Sequence, residues 1–211
     1  MQQSTYPVQF SVDYPDRALN RLTTFFRIFV AIPIMLILTA VSGVASQSPS
    51  NGRGTITTIA TTGGILFLGP LLMILFRQKY PRWWFDWNLA LMRFSYRVTA
   101  YLLLMDDRYP STDEEQSVHL DFPYPDVPRE LNRWLPLVKW FLAIPHYIVL
   151  FFLDIAVFVV IIIAWFAILF TEHYPKSLFD FVEGVIRWQS RVTAYAIILV
   201  TDQYPPFSLR P

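Results

Sequence analysis

The sequence contains no cysteine, which removes disulfide bonds, thiolate metal ligands and thiol nucleophiles from the chemistry open to it. Charge is scarce too. Only 16% of its 211 residues are Asp, Glu, Lys or Arg, against about 25% in an ordinary soluble domain, too few to clothe a surface that faces water. The formal net charge of +1 gives a nucleic-acid partner no bulk electrostatic support. There are three histidines, His119, His146 and His173, and no two of them stand at metal-ligand spacing. A phosphate-binding glycine loop, a dinucleotide fingerprint, a Gly-x-Ser-x-Gly elbow and a kinase signature are all missing. No cofactor is implied, and catalysis is the weakest class of function. A secretory leader is not expected either, because Asp13 and Asp16 lie within the first 20 residues and no basic start precedes a short apolar core.

What the chain has is hydrocarbon. Hydrophobic residues make up 54% and aromatic residues 17%. Leu22–Val44 and Ile56–Phe76 are long enough to cross a bilayer, the second of them carrying Gly63, Gly64, Gly69 and Pro70, which permit close helix approach. From Leu135 to Phe170 the apolar run is interrupted only by Lys139, His146 and Asp154. As one straight helix it would be roughly 54 Å long at 1.5 Å per residue, well beyond a hydrocarbon core of about 30 Å. This length predicts two spans, about 135–152 and 155–171, turning near Asp154, whose side chain could cap the second. Lys and Arg avoid the inter-span loops apart from Arg53, which places both termini and the middle segment in the cytoplasm.

The chain also repeats itself. YPD at 14–16 recurs at 124–126, LNR at 19–21 recurs at 131–133, and AIP at 31–33 recurs at 143–145, with Arg27 matched by Lys139. KYPRWWFDW at 79–87 aligns with HYPKSLFDF at 173–181, and RVTAY at 97–101 returns at 191–195. DRYP at 107–110 becomes DQYP at 202–205. The expected units are 1–116 and 117–211, related by a pseudo-two-fold along the membrane normal as in parallel-repeat transporters. The combination of a YPD–LNR–IP opening, a YP–FD step, RVTAY and a closing D-x-YPPF resembles a family of bacterial membrane proteins whose defining domain has no assigned function and occurs in tandem copies. The resemblance implies the fold and a bacterial cytoplasmic membrane, and it carries over no activity, substrate or catalytic residue. The first unit departs from the pattern by ending DRYPSTDEEQ, without PPF.

After each pair of spans comes a helix with a narrow polar stripe, at 83–105 and 177–200. Asp86, Ala90, Arg93 and Arg97 share one helical face, and Asp180, Gly184, Arg187 and Arg191 repeat it. Trp83, Trp84, Trp87, Leu91 and Phe94 line the other side, which predicts an amphipathic helix lying on the cytoplasmic face of the membrane. Spanning is the alternative, at a cost of several kcal/mol for each arginine placed in hydrocarbon. Ahead of each unit, Val8–Val12 and Val118–Phe122 alternate with period two and predict short extended segments; whether they pair is open. The fold expected is thus an all-α membrane protein of four spans, with two surface helices and short extended leads.

The four stripe arginines are the candidate contacts for anionic lipid or a phosphate-bearing ligand. The competing reading ties them internally to Asp86 and Asp180, or to Asp16 and Asp126 of the YPD corners. His146 and Asp154 are the candidate polar sites at membrane depth; a hydrogen bond to a neighbouring helix and a turn, respectively, account for them equally. Pro33 and Pro145 read as matched helix kinks. Two functions follow. One is a non-enzymatic membrane module, self-assembling or accessory to a larger membrane complex, with lipids as partners. The other is a small channel or a lipid or ion transporter along the repeat axis.

Overall fold

A computed structural model describes residues 6–42, 69–112 and 114–211, with 39–42 described by their backbone alone. The expected loop Ser46–Thr55, most of the expected span Ile56–Phe76, and Gly63 and Gly64 lie outside the described residues. The two alternating segments are strands, β1 (Gln9–Val12) and β2 (Val118–Asp121), and they pair antiparallel with Phe10 opposite Leu120 and Val12 opposite Val118. Period two explains their faces: Phe10, Val12, Val118 and Leu120 are buried, while Gln9, Ser11, His119 and Asp121 point outward. His119 Nε2 and Asp13 Oδ2 close the outer face at 2.9 Å.

The helices follow in chain order. Asn20 caps α1 (Arg21–Phe25), its side-chain oxygen accepting from the amides of Leu22 and Thr23 at 2.9 and 3.3 Å. α2 (Arg27–Ser42) follows at once, with Pro33 in its interior. A π-helical turn at Met73–Arg77 leads to α3 (Arg82–Leu102), which packs on β2 and, through Phe94, Val98 and Tyr101, on Ala31 and Ile34 of α2. After β2 come a short α4 (Lys139–Leu142), the long α5 (Ile144–Thr171), and α6 (Lys176–Thr193) with a closing π-helical turn, Ala194–Ile198. Matched residues adopt matched special geometry: Gln78 and Glu172 are left-handed after the preceding helices, as are Leu104 and Leu199.

The expected hairpin at Asp154 does not form. α5 runs unbroken for 28 residues through that position, about 42 Å of helix, because neither Gly nor Pro occurs between His146 and Tyr174 to stop it. The break comes earlier, at Ala143, so Lys139 belongs to the separate turn of α4. Pro145 is accordingly no kink. It sits in the first turn of α5, where its missing N–H has no helical partner to lose, whereas Pro33 lies inside α2.

The expected surface helices are also corrected. The chain reverses after α5, and α6 comes back against it, between α5 on one side and β1 and the C-terminal tail on the other. Phe179, Val182, Val185, Ile186, Trp188 and Val192 are all buried, so no broad apolar face is left to dip into lipid. α3 keeps Trp83 and Trp87 exposed in its first turns and is largely enclosed beyond them. Much of the exposed hydrocarbon belongs to α5, where only His146, Leu150, Val157, Ala164 and Ile168 are buried, one stripe at intervals of four and seven residues; Leu22, Ile28, Phe29 and Leu36 of α1 and α2 are exposed as well.

Candidate functional site

The stripe arginines converge on the strands and the tail. Arg93 Nε donates to the carbonyl of Leu120 at 2.9 Å, and Arg187 Nε donates to the carbonyl of Phe10 at 2.9 Å. Because Phe10 and Leu120 face each other across the ribbon, the two arginines clasp it from both sides. Each half's helix therefore holds the other half's strand. Tyrosines cross over in the same way: Tyr14 OH donates to the carbonyl of Tyr174 at 2.5 Å, and Tyr124 OH to that of Tyr80.

Internal ties were one of the two readings of these arginines, but the expected carboxylates are not the partners. Arg97 donates to the carbonyl of Ser111 at 2.9 Å and Arg191 to that of Ser208 at 3.4 Å. Arg93 has Asp121 at 3.6 Å, and Arg187 pairs with Glu183 of its own helix. Asp86 meets Arg82 and Asp126 meets Arg129 instead, at 4.0 and 3.6 Å. The choice of carbonyls has a physical reason: a guanidinium has five fixed N–H donors and can tie several backbone acceptors at once. Burial, and the neighbouring Arg187 charge, pull Arg191 below the ordinary guanidinium range.

The two stripes differ in what covers them. In the second half the chain's own end does so. Leu209 O accepts from Arg187 Nη1 at 3.0 Å, and Phe207 stacks on the His146 ring at 4.0 Å between centroids and 16° between planes. A Cβ on Gly184 would stand 2.9 Å from both the Cβ and the carbonyl oxygen of Leu209, so this position admits no side chain while the tail is seated. In the first half the corresponding residues are Ala90, Phe94 and Ile34, where the second has Gly184, Trp188 and His146. Among the described residues, the groove beside Arg93 and Arg97 is there a cavity of about 300 Å³, bordered by His119, Glu115 and Gln116.

His146 and Asp154 are both engaged. His146 is fully buried and accepts from Trp188 Nε1 at 3.0 Å through Nδ1, so in the neutral ring the proton sits on Nε2. That atom has no partner among the described residues. Asp154 accepts from Gln189 Nε2 at 2.6 Å. The structure brings His146 together with Arg187 and Arg191 through the tail, and it keeps Asp154 apart from them on the outer side of α6.

Sequence reasoning noted that Arg27 and Lys139 correspond and did not see why. Both are buried, and both close the end of their half. Arg27 donates to the carbonyls of Tyr101 and Asp106 at 2.6 and 2.7 Å and lies over the Tyr101 ring at 4.5 Å. Lys139 donates to the carbonyl of Thr201 at 2.6 Å, meets Asp202 Oδ1 at 2.7 Å and lies over the Tyr195 ring at 5.1 Å. Burial lowers the Lys139 ammonium, and Asp202 opposes this through its hydrogen bond and its charge. The recurrence of a cation six residues after LNR, together with the Tyr of RVTAY, was the signal available. The seat of PPF was legible only as a difference between the two halves.

Comparison with curated proteins and with solved structures gives no match. Residues 134–208 match the family model described as a domain of unknown function (DUF4389), a stretch running from Trp134 through α5 and α6 to Ser208 of the tail.

Proposed function

We propose that the chain is a non-enzymatic integral membrane module made of two tandem copies of one unit, seated in the cytoplasmic membrane of a bacterium. It assembles with itself, or serves as an accessory subunit of a larger membrane complex, and contacts anionic lipid. One observation carries the reading: α5 is apolar around its whole circumference and buried along a single stripe. A helix of that composition belongs either in the core of a protein or in lipid. Phe151, Phe152, Phe158, Ile163, Phe166 and Phe170 are each at least half exposed, so the protein does not supply the core and a bilayer does.

The tandem-copy reading is supported by the paired contacts of Arg93 and Arg187, Tyr14 and Tyr124, and Arg27 and Lys139, each made by corresponding residues. The placement of both termini in the cytoplasm rests on the distribution of Lys and Arg. Cysteines introduced at Ser50 and Glu114 of this cysteine-free chain test it. An impermeant maleimide applied to intact cells labels position 50 and spares position 114; labelling of both, or the reverse, refutes the orientation. A chain recovered in the soluble fraction refutes the membrane reading itself, and one that is strictly monomeric in mild detergent, without copurifying partners, refutes the assembly.

A further inference from the structure

One cavity distinguishes the halves at the end of the membrane segment. It measures about 500 Å³ and lies where the π-helical turn Met73–Arg77 meets the start of α3 and the Tyr124–Pro128 corner. Met73 and Pro128 give it apolar walls, and Arg77 and Lys79 stand at its mouth. Both cations are exposed, and among the described residues neither has an ion-pair partner. Asp126 also lines the cavity, but Arg129 at 3.6 Å holds its charge. Arg82 lies over the Tyr124 ring at 5.2 Å, its charge shared with Asp86 at 4.0 Å.

The corresponding place in the second half is shut. KYP at 79–81 aligns with HYP at 173–175, which sets Thr171 and Glu172 against Arg77 and Gln78. There the chain before α1 closes over the corner: Leu19 N donates to the carbonyl of Glu172 at 2.8 Å, and Arg21 Nε meets the Glu172 carboxylate at 2.9 Å. In the first half, Leu131 N turns back to Val127 O at 3.2 Å within its own short helical turn and, among the described residues, leaves the corner uncovered. The substitution of Thr-Glu-His by Arg-Gln-Lys therefore removes the closing carboxylate and adds two cations at this corner.

We infer that this corner is a binding site for the phosphate headgroup of an anionic phospholipid, held by Arg77 and Lys79. The choice of a lipid over free phosphate rests on what continues the cavity. Leu72 and Phe76, 49% and 71% exposed, belong to the same helical segment as Arg77 and offer the uncovered hydrocarbon that an acyl chain needs. Trp83, 66% exposed in the first turn of α3, has the character of a headgroup-level ring. The site rests on the membrane reading given above and replaces the stripe arginines as the place of lipid contact, since those are tied to backbone carbonyls.

The test uses the full chain purified in mild detergent, with phosphatidylglycerol, phosphatidylcholine and inorganic phosphate as probes, and reads retained lipid by native mass spectrometry. The parent retains phosphatidylglycerol in preference to phosphatidylcholine. Arg77→Gln combined with Lys79→Gln loses affinity by about thirtyfold, the loss expected from removing two cations beside an anionic headgroup. Gln78→Glu, which reinstates the carboxylate present at position 172, weakens retention as well. Equal retention by parent and variants overturns the site, and inorganic phosphate binding as tightly as phosphatidylglycerol overturns the lipid as its ligand. Membrane fractionation of the same variants separates this from the wider reading: a chain that stays in the membrane while retaining lipid unchanged refutes only the site.

Discussion

Gly184→Ala is expected to change sign with the presence of the C-terminal tail. Alanine in the interior of a helix is favoured over glycine by about 1 kcal/mol, so on α6 alone the substitution stabilises. In the intact chain the new Cβ meets the Cβ and carbonyl oxygen of Leu209 at 2.9 Å. Overpacking of this kind costs about 1–3 kcal/mol. Escape by lifting the tail costs about as much, because Leu209 O then leaves Arg187 Nη1, 3.0 Å away, and a hydrogen bond to a charged group contributes about 1.5–3 kcal/mol. After the helical gain is subtracted, the intact protein loses up to about 2 kcal/mol. Truncation after Phe207 removes the obstacle, and there the substitution gains about 1 kcal/mol. A thermal-unfolding cycle over the four proteins reads both signs, at about 2–4 °C per kcal/mol for a chain of this size. The same sign in both backgrounds would show that the tail is not seated against α6 as described.

Lys139→Met leaves Asp202 facing a buried apolar chain. Breaking a buried pair costs about 3–5 kcal/mol; Asp202 keeps some solvent contact, its side chain 19% exposed, which puts the loss at about 2–3 kcal/mol. Adding Asp202→Asn recovers part of it, and no recovery in the double variant argues against the pair. Asp106 is expected to contribute to acid stability. Burial raises its carboxyl, but the Ser117 hydroxyl at 2.6 Å and the Arg108 amide and guanidinium more than offset this, leaving it below the usual carboxylate range. The depressed value means a contribution that is full above about pH 4 and lost as the pH falls through the folded-state value. Melting temperature measured down the acid range falls more steeply in the parent than in Asp106→Asn, and parallel curves would refute the assignment.

The local elements were legible in the sequence because their signals are local. Alternation at Val8–Val12 and Val118–Phe122 predicted strands, and four-and-seven spacing from Asp86 and Asp180 predicted the helices that became α3 and α6. Their surroundings were not legible. A polar stripe on an apolar helix reads the same whether it faces lipid headgroups or a neighbour's carbonyls, so Arg187 could be a lipid contact or an internal tie to a carboxylate, and it is a buried clasp on a carbonyl. The hairpin at Asp154 failed for a related reason. Length was weighed against bilayer thickness, while the absence of any helix-breaking residue around Asp154 was the stronger signal. Of the candidate site, the paired cations Arg27 and Lys139 were visible as a repeat, but the aromatic rings and carbonyls that hold them come from segments 56 and more residues away.

The clasp between halves sets the order in which the molecule can be completed. Phe10 is 177 residues from the arginine that holds its carbonyl, and Tyr14 is 160 residues from the carbonyl it reaches. While the chain is being made, β1 emerges first and must wait for α6, and α3 is finished before β2 exists to lie on it. Neither half closes by itself. Synthesis therefore passes through a stage in which the first half is built and its strand partner is still missing, and closure arrives late and in one step. Contacts of such long sequence separation fold slowly, so the nascent first half is the interval in which the chain is open to mispairing with a second copy.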